Sequence, residues 1–246
     1  MANKTVSILG IPFIHTTLKE MIQRIEKHVD HQEKKFIVTA NPEIVIAARQ
    51  NPEYKKMIQQ ADYITADGIG IVKAAQMLGT PLPERVTGFD MFVSLLQLAD
   101  QKKYRIYLLG AKEEVIEKTV ANIKEKYPNA QIAGYHHGYF NWKETKIEEE
   151  IIALKPDFVF VALGFPKQEQ WISERIHLFD RGIFMGIGGS FDVLAGEVKR
   201  APFLWQKLNL EWLYRLIQQP SRWRRMLALP KFIFIILKQK AMGKNE

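Results

Sequence analysis

The sequence predicts an α/β fold, in which a mostly parallel sheet carries helices on both faces and a helical appendage follows. Short β-branched runs alternate with segments of 3.6-residue apolar periodicity, the pattern of a parallel sheet covered by helices. From about residue 196 onward the strand pattern disappears and the positive charge becomes concentrated. We therefore predict a catalytic α/β domain over residues 1–195 and a basic, aromatic helical appendage over residues 196–246.

The elements follow in order along the chain. A short hairpin is expected over Val6–Phe13. Buried strands are predicted at Phe36–Ala40, Tyr63–Ala66, Arg105–Leu109, Phe158–Leu163 and Ile183–Ile187. Helices are predicted at Thr17–Val29, Phe89–Ala99, Glu113–Tyr127, Thr145–Leu154 and Lys167–Leu178. Since crossovers between parallel strands are right-handed, the carboxyl ends of the strands meet at one edge, where ligands bind in such folds.

The composition excludes several kinds of chemistry. The 246 residues include no cysteine, so disulfides, thiolate metal sites and a cysteine nucleophile are ruled out. No window approaches the ~20 apolar residues of a membrane-spanning helix, and no secretory signal opens the chain. We expect a cytoplasmic protein that is peripheral on the inner face of the cell membrane.

The basic charge belongs almost entirely to the end of the sequence. From Lys199 to Glu246 there are eleven Lys/Arg against two acids, whereas residues 1–198 carry a net charge of −1. The same segment holds seven aromatic residues, among them three tryptophans. A solvated basic helix end would explain the charge alone, but clustered aromatic residues favour contact with an anionic membrane surface. Three helical segments are predicted here, Pro202–Gln218, Ser221–Leu227 and Lys231–Lys240, separated by Pro220 and Pro230.

Polar residues follow two of the predicted strands directly. Asp67 comes after a strand and before Gly68, where a carboxylate next to a helix N-terminus is favoured in its ionised form. Such a carboxylate is suited to act as a general base on a hydroxyl, or equally to cap the helix. Thr39 and Asn41 end the neighbouring strand and could hold a polar ligand, although Asn41-Pro42 is also typical of a helix start.

Two further segments are suited to phosphate. Arg85 could clamp a phosphate through its planar guanidinium, or pair with Glu84 or another nearby acid. The run from Gly186 to Asp192 leaves a strand and enters a helix, and Gly188 and Gly189 let backbone N–H groups approach an anion. Its spacing is neither a dinucleotide fingerprint nor a Walker loop, so a tight packing turn is the alternative.

Several site classes have no sequence support. The chain contains no D-x-D pair and no H-E-x-x-H arrangement, so no metal ion and no cofactor are assigned. It contains no G-x-S-x-G elbow, so a serine hydrolase is not predicted.

In the appendage, Arg215, Arg222 and Arg225 suit a pyrophosphate or lipid headgroups, with ordinary snorkelling over aromatic residues as the alternative.

These motifs, taken in order, resemble the WecG/TagA/CpsF family of bacterial glycosyltransferases, and most closely its wall-teichoic-acid branch. The resemblance covers nearly the whole chain. It is carried by Thr39–Glu43, Thr65–Gly68, Arg85–Gly88, Gly164–Glu169, Gly188–Asp192, Lys199–Pro202, Glu211–Arg215 and Arg222–Arg225. It implies a Rossmann-like domain and an inverting transfer of N-acetylmannosamine from UDP to N-acetylglucosaminyl-diphospho-undecaprenol.

The resemblance also implies roles for individual residues. Asp67 matches the catalytic base. Substrate-binding positions are matched by Thr39, Asn41, Arg85, Gln168, Asp192, Gly188 and Gly189. Arg215, Arg222 and Arg225 match the arginines that meet the lipid diphosphate. The implied partners are a UDP-sugar donor, a polyprenyl-diphosphate-linked sugar acceptor and an anionic membrane surface, with no nucleic acid; homo-oligomer formation is left open.

Three alternatives remain at this point. A relative in the same family could use a different UDP-sugar donor. A nucleotide-dependent oxidoreductase would share the sheet, but the glycine spacing does not suit a dinucleotide. A non-catalytic module that binds nucleic acid or membrane through the appendage would leave the polar strand ends without a role.

Overall fold

The computed structural model describes residues 4–220 and 223–242, and two sheets are found there. Strands β1 and β2 form an antiparallel hairpin, and the other six strands form one parallel sheet in the order β4-β3-β8-β7-β5-β6. The strands are β1 Thr5–Ile8, β2 Ile11–Ile14, β3 Lys34–Ala40, β4 Tyr63–Ala66, β5 Arg105–Gly110, β6 Gln131–His136, β7 Phe158–Ala162 and β8 Gly182–Gly186. The α/β fold with a mostly parallel sheet is confirmed.

Helices cover both faces of this sheet. In the α/β part they are α1 Leu18–Asp30, α2 Pro42–Gln50, α3 Pro52–Gln59, α4 Ile69–Met77, α5 Gly88–Lys102, α6 Glu113–Lys126, α7 Lys146–Leu154, α8 Lys167–Arg175 and α9 Ser190–Leu194. They are followed by α10 Phe203–Lys207, α11 Glu211–Gln218, α12 Trp223–Met226 and α13 Ala228–Ala241. Helices α1, α5, α6 and α9 pack on one face, and α2, α3, α4 and α8 on the other.

The strand residues alternate between two apolar layers. On β5, Tyr107 and Leu109 face the layer that contains α2, whereas Ile106 and Leu108 face the layer that contains α5. Every residue of β4, β7 and β8 is buried, as expected for strands that are covered on both faces. Side-chain burial on both faces therefore fixes the sheet and aligns the carboxyl ends of its strands.

One strand of the sheet was not predicted. Strand β6 lies at the edge, is only partly buried and contains Gly134. A Cβ at Gly134 would approach the Tyr107 ring to 2.7 Å, so a glycine is required where β6 lies against β5. Without a β-branched run, this edge strand carries little of the pattern that identifies the central strands.

The C-terminal helices differ from the predicted ones at two points. The single segment predicted over 202–218 is two helices, with Asn209 in a left-handed conformation (φ 60°) between them. Pro230 does not end a helix but lies in the first turn of α13, where its missing N–H has no helical partner to lose. The prediction that Pro230 separates two helices was therefore wrong.

Helix α13 belongs to the same apolar layer as α2. It packs against α2 and α4, and its Phe232 and Ile236 side chains are both 1% exposed within that core. Within residues 4–220 and 223–242, none of the helices combines the length and the apolar composition that crossing a bilayer requires. The division at residue 195 stays a prediction, but the segment after it contributes to the core of the α/β part.

Candidate active site

The crevice lies at the carboxyl ends of β3, β4 and β8. Because β3 pairs with β4 on one side and β8 on the other, Thr39, Asp67 and the loop after Gly186 meet at one edge of the sheet. The N–H of Asp67 donates to the carbonyl of Ala40 at 3.0 Å, which holds the Asp67 backbone against the end of β3. The expected grouping of sequence-distant residues at this edge is present in the structure.

Asp67 is held at the start of α5 and does not cap α4. The cap position of α4 is Gly68, whereas the Oδ2 atom of Asp67 accepts a hydrogen bond of 3.2 Å from the N–H of Gly88. A Cβ at Gly88 would lie 2.8 Å from Oγ1 of Thr39 and 3.6 Å from Oδ2 of Asp67. Glycine at 88 thus lets a helix N-terminus approach both side chains, a role that the sequence did not reveal.

The electrostatic surroundings of Asp67 are balanced between opposing effects. Burial raises the pKa of its carboxyl above the ordinary value, and the negative charge of Glu211 acts in the same direction. The Gly88 hydrogen bond and the positive charges of Arg215 and Arg85 lower the pKa, but less than burial raises it. The ionised form is therefore less favoured than the adjacent helix terminus alone suggests. A carboxyl with a raised pKa is a stronger base when it is ionised.

Asn41 has the capping role that its sequence context allowed. Its Oδ1 atom accepts a 3.0 Å hydrogen bond from the N–H of Ile44 and so caps α2. The residue lies beside Gly68, which follows Asp67, since a Cβ at Gly68 would lie 3.9 Å from Cβ of Asn41. Capping and ligand binding are compatible here, because the cap uses only the oxygen of the side-chain amide.

Glu211 joins the C-terminal helices to the crevice and was not identified from the sequence. It is the first residue of α11 and is 8% exposed. Its carboxylate lies 2.9 Å from Nη2 of Arg215, 3.5 Å from Nη1 of Arg85 and 4.0 Å from Nε of Arg200. Arg85 thus pairs with an acid far along the chain, whereas Glu84 accepts from the N–H of Leu18. These pairs place the Arg215 and Arg85 charges near Asp67.

Gln168 faces the glycine loop rather than open solvent. It is buried, and its Oε1 atom accepts a 2.9 Å hydrogen bond from the N–H of Gly188. A Cβ at Gly186 would lie 2.6 Å from the Gln168 amide nitrogen, so the glycine is needed for this packing. Asp192 lies close to the same loop, since a Cβ at Gly189 would come within 3.4 Å of its Oδ2 atom. The Gln168 side chain of α8 therefore holds this loop in place.

A second buried carboxyl lies behind this loop. Glu169 is 1% exposed, and its Oε1 atom accepts a 2.7 Å hydrogen bond from Nε2 of Gln168. Burial raises the pKa of Glu169 to about 7, although the Gln168 hydrogen bond acts in the opposite direction. Glu169 is therefore shielded from solvent, whereas Asp67 is partly exposed.

The appendage arginines occupy two different places. Arg215 lies at Glu211 beside the crevice, whereas Arg225 binds both carboxylate oxygens of Glu43 at 2.6 and 2.9 Å. Arg222 lies outside the described residues. Across residues 4–220 and 223–242, no group of three or more His, Asp or Glu side chains is arranged to hold a metal ion.

The family model for the glycosyl transferase WecG/TagA/CpsF family matches residues 6–246. The chain belongs to this family. It is similar to enzymes from Bacillus spizizenii (44% identity over 238 residues, 96% of this chain and 92% of the relative) and Bacillus subtilis (43% over 243 residues, 98% and 94%). A Staphylococcus aureus relative is 41% identical over 242 residues. Each is named N-acetylglucosaminyldiphosphoundecaprenol N-acetyl-beta-D-mannosaminyltransferase.

Membership in this glycosyltransferase family gives the crevice a chemical context. A positioned carboxylate can act as a general base on a hydroxyl, and fixed cations can stabilise the charge that develops on a departing diphosphate. In this chain, Asp67 supplies a carboxylate at the crevice, and Arg85 and Arg215 supply positive charge near it. The site thus combines a carboxylate with nearby positive charge.

Proposed function

We propose that the protein is an inverting glycosyltransferase that moves N-acetylmannosamine from UDP to the 4-hydroxyl of N-acetylglucosaminyl-diphospho-undecaprenol, forming a β-1,4 linkage. This reaction would be an early step in making the linkage unit of wall teichoic acid. The near full-length similarity to enzymes named for this transfer carries the proposal. The carboxylate at the crevice supports it, because transfer with inversion needs a base on the acceptor side.

The proposed mechanism is a single displacement. The acceptor hydroxyl oxygen attacks C1 of the donor sugar while Asp67 takes the hydroxyl proton. The bond between C1 and the phosphate oxygen breaks, and its electron pair leaves with UDP. Arg85 and Arg215 stabilise the charge that develops on the diphosphate, which a fixed cation does without reorganisation during the reaction.

The remaining predicted residues would line the donor side of the same crevice. Thr39 offers a hydroxyl beside Asp67, and Asn41 offers its side-chain amide nitrogen. Asp192, Gly188 and Gly189 lie at the loop after β8, and Gln168 holds that loop through the Gly188 N–H. We assign Gln168 a positioning role and the other five direct substrate contacts.

The C-terminal helices would bind the membrane that carries the acceptor. Apolar side chains there are widely exposed, with Phe203 at 78% and Phe234 at 68%. Lys and Arg residues are concentrated in the same segment. Such a surface inserts aromatic groups at the lipid interface while its cations contact anionic headgroups. A cytoplasmic enzyme held peripherally on the inner membrane face fits this surface.

The test is UDP release from UDP-N-acetylmannosamine with a lipid-linked N-acetylglucosamine acceptor. We expect release that depends on both substrates and a product with the β-1,4 linkage. UDP-N-acetylglucosamine serves as the control donor, because a relative with another specificity would prefer it or a similar sugar. No release above background with the mannosamine donor would refute the proposed specificity.

A further inference from the structure

A buried amide and a buried carboxyl lie side by side in the first turn of α8. They belong to Gln168 and Glu169, which are both almost fully shielded from solvent. Nε2 of Gln168 donates to Oε1 of Glu169 at 2.7 Å, and Oε1 of Gln168 accepts from the N–H of Gly188 at 2.9 Å. The Gln168 amide therefore joins Glu169 to the loop after β8, with a hydrogen bond on each side.

The two hydrogen bonds fix which way the Gln168 amide faces. Gly188 presents a donor and Glu169 an acceptor, so a turned amide would place donor against donor and oxygen against oxygen. Gly186 packs directly on the amide, since a Cβ there would lie 2.6 Å from Nε2. If the acceptor at Glu169 were removed, Nε2 would be a buried donor without a partner, which is costly. The side chain would then turn away and release the N–H of Gly188.

The fold gains little else from the Glu169 carboxyl. Tyr54 of α3 lies next to it, but within the described part of the chain Oε2 of Glu169 has no hydrogen bond of normal geometry. Burial disfavours the charged form and raises the pKa of this carboxyl. A buried carboxyl with one good partner stabilises a fold less than an apolar side chain of the same size. The residue is therefore better explained by its effect on Gln168 than by packing.

The loop that Gln168 holds is the one assigned above to the donor side of the crevice. On its strand side, the N–H of Ile187 is fixed by a 2.9 Å hydrogen bond to a carbonyl of β7. At Gly188, a side chain of another helix holds the backbone. The next residue is Gly189, where a Cβ would lie 3.4 Å from Oδ2 of Asp192. A shift at Gly188 would therefore move the residues that follow it relative to Asp192.

We infer that Glu169 is a positioning residue for the sugar donor: it orients the Gln168 amide, which holds the loop after β8 in the conformation that binds the UDP-sugar. The inference rests on the proposed function, which supplies this donor. Glu169 touches neither substrate and acts through Gln168 alone. What it must supply is an acceptor oxygen at the place of Oε1, and a neutral amide at position 169 supplies the same.

The kinetic test compares the loss of the acceptor oxygen with its conservation. Glu169→Met keeps the length of the side chain but removes the acceptor, and it should raise the KM for the UDP-sugar roughly threefold to tenfold, the factor that one hydrogen bond is worth. The KM for the lipid-linked acceptor should stay within a factor of about two. Glu169→Gln should keep the wild-type KM for the donor, because its Oε1 atom still accepts from Gln168. Glu174→Met, at an exposed position of the same helix, is the matched control.

A double variant tests whether Glu169 acts through Gln168. Gln168→Met combined with Glu169→Met should raise the KM for the donor no further than Gln168→Met alone, because residues that act through one contact are not additive. Additive effects would show that Glu169 acts by another route. Equal losses in Glu169→Gln and Glu169→Met would also overturn the inference, since the acceptor oxygen would then not be what matters.

Amide hydrogen exchange of the segment that contains Gly188 gives a readout without substrate. Exchange should be faster in Glu169→Met than in the wild type and in Glu169→Gln, because the loop has lost the Gln168 contact. Unchanged exchange in Glu169→Met would refute the inference. Glu169→Leu removes the same acceptor and takes its place if the methionine variant does not fold. If the wild-type protein releases no UDP, the proposed function fails, and hydrogen exchange still decides whether Glu169 holds the loop.

Discussion

The α/β part buries most of its large apolar side chains, whereas the C-terminal helices expose many of theirs. Among the described residues, eleven of the fifteen exposed large apolar side chains lie between Phe203 and Met242. Helix α13 shows both behaviours at once, because Phe232 and Ile236 are buried against α2 and α4 while Ile233, Phe234 and Leu237 are exposed. Many exposed apolar side chains on one surface are typical of a site that binds a partner or a membrane. The C-terminal helices thus pack on the α/β part through one side and expose apolar side chains on the other.

The largest effect is expected in the α/β part, at Asp67. Asp67→Asn keeps the side-chain size but removes the base, so kcat should fall by about 10²–10⁴-fold, the usual contribution of general-base catalysis. Wild-type kcat should fall as the pH drops through the raised pKa of Asp67, because protonation removes the same base. Circular dichroism checks that the variant is folded. Near-wild-type turnover would remove Asp67 from the mechanism.

The next largest effect concerns Glu169, the buried carboxyl behind the glycine loop, and it distinguishes this residue from Asp67. Burial raises the pKa of Glu169 to about 7 from an ordinary value of 4.5, so the folded state binds its proton more tightly than the unfolded state. The tighter proton binding by Glu169 adds to the free energy of unfolding. This addition is fully present below about pH 4.5 and is lost as the pH rises to about 7. The loss is on the order of 3 kcal/mol, a roughly hundredfold change in the folding equilibrium.

Glu169→Gln should remove that pH dependence. Urea unfolding at pH 5 and pH 8 should show a smaller drop in the free energy of unfolding for the variant than for the wild type. Glu174→Gln, on the exposed side of α8, is the control. Equal drops in Glu169→Gln and the wild type would mean that Glu169 is ionised in the folded protein across this range.

A smaller effect is expected at the C-terminal helices, for which we propose membrane binding. Phe203→Ser combined with Phe234→Ser removes two of the most exposed aromatic side chains and should weaken binding to anionic vesicles about tenfold. Turnover of a short-chain soluble acceptor should stay within a factor of two or so, since neither residue lies at the crevice. Vesicle sedimentation measures the binding, and Tyr139→Ser, at an equally exposed aromatic residue outside these helices, is the matched control. If that control loses as much binding, the C-terminal helices are not the membrane surface.

The smallest effect tests whether a residue of the C-terminal helices changes the pKa of Asp67 in the α/β part. The negative charge of Glu211 raises the pKa of Asp67, so Glu211→Gln should move the acid limb of the kcat–pH profile to lower pH. The shift should be modest, because the same change also loosens Arg215 and Arg85, whose charges lower that pKa. A shift to higher pH would show that losing the arginines outweighs losing the carboxylate.

The sequence predicted the central strands well because each is a β-branched run buried on both faces. It also placed Thr39, Asn41 and Asp67 at one edge, since parallel strands align their carboxyl ends. It did not predict the edge strand β6, whose Gly134 is set by packing against Tyr107. Element type was thus predictable wherever local pattern and burial agree.

The parts of the site that the sequence missed depend on contacts between distant segments. Gly88 matters because Thr39 and Asp67 lie against it, and Glu211 matters because Arg85 and Arg215 lie on either side of it. Both residues lie inside motifs that carry the family resemblance, but neither motif indicates what the residue contacts. The raised pKa of Asp67 likewise reflects burial at the crevice, which no single segment determines.

The position of α13 has a consequence for how the protein is made. Its Phe232 and Ile236 complete a layer whose other members, α2 and α4, are synthesised far earlier. Until residue 236 has left the ribosome, the part of α2 that packs against α13 stays uncovered and offers an aggregation surface to other nascent chains. Contacts of such long sequence separation also slow folding. The exposed side of α13, which includes Phe234, therefore becomes available only together with the inner side that closes the core.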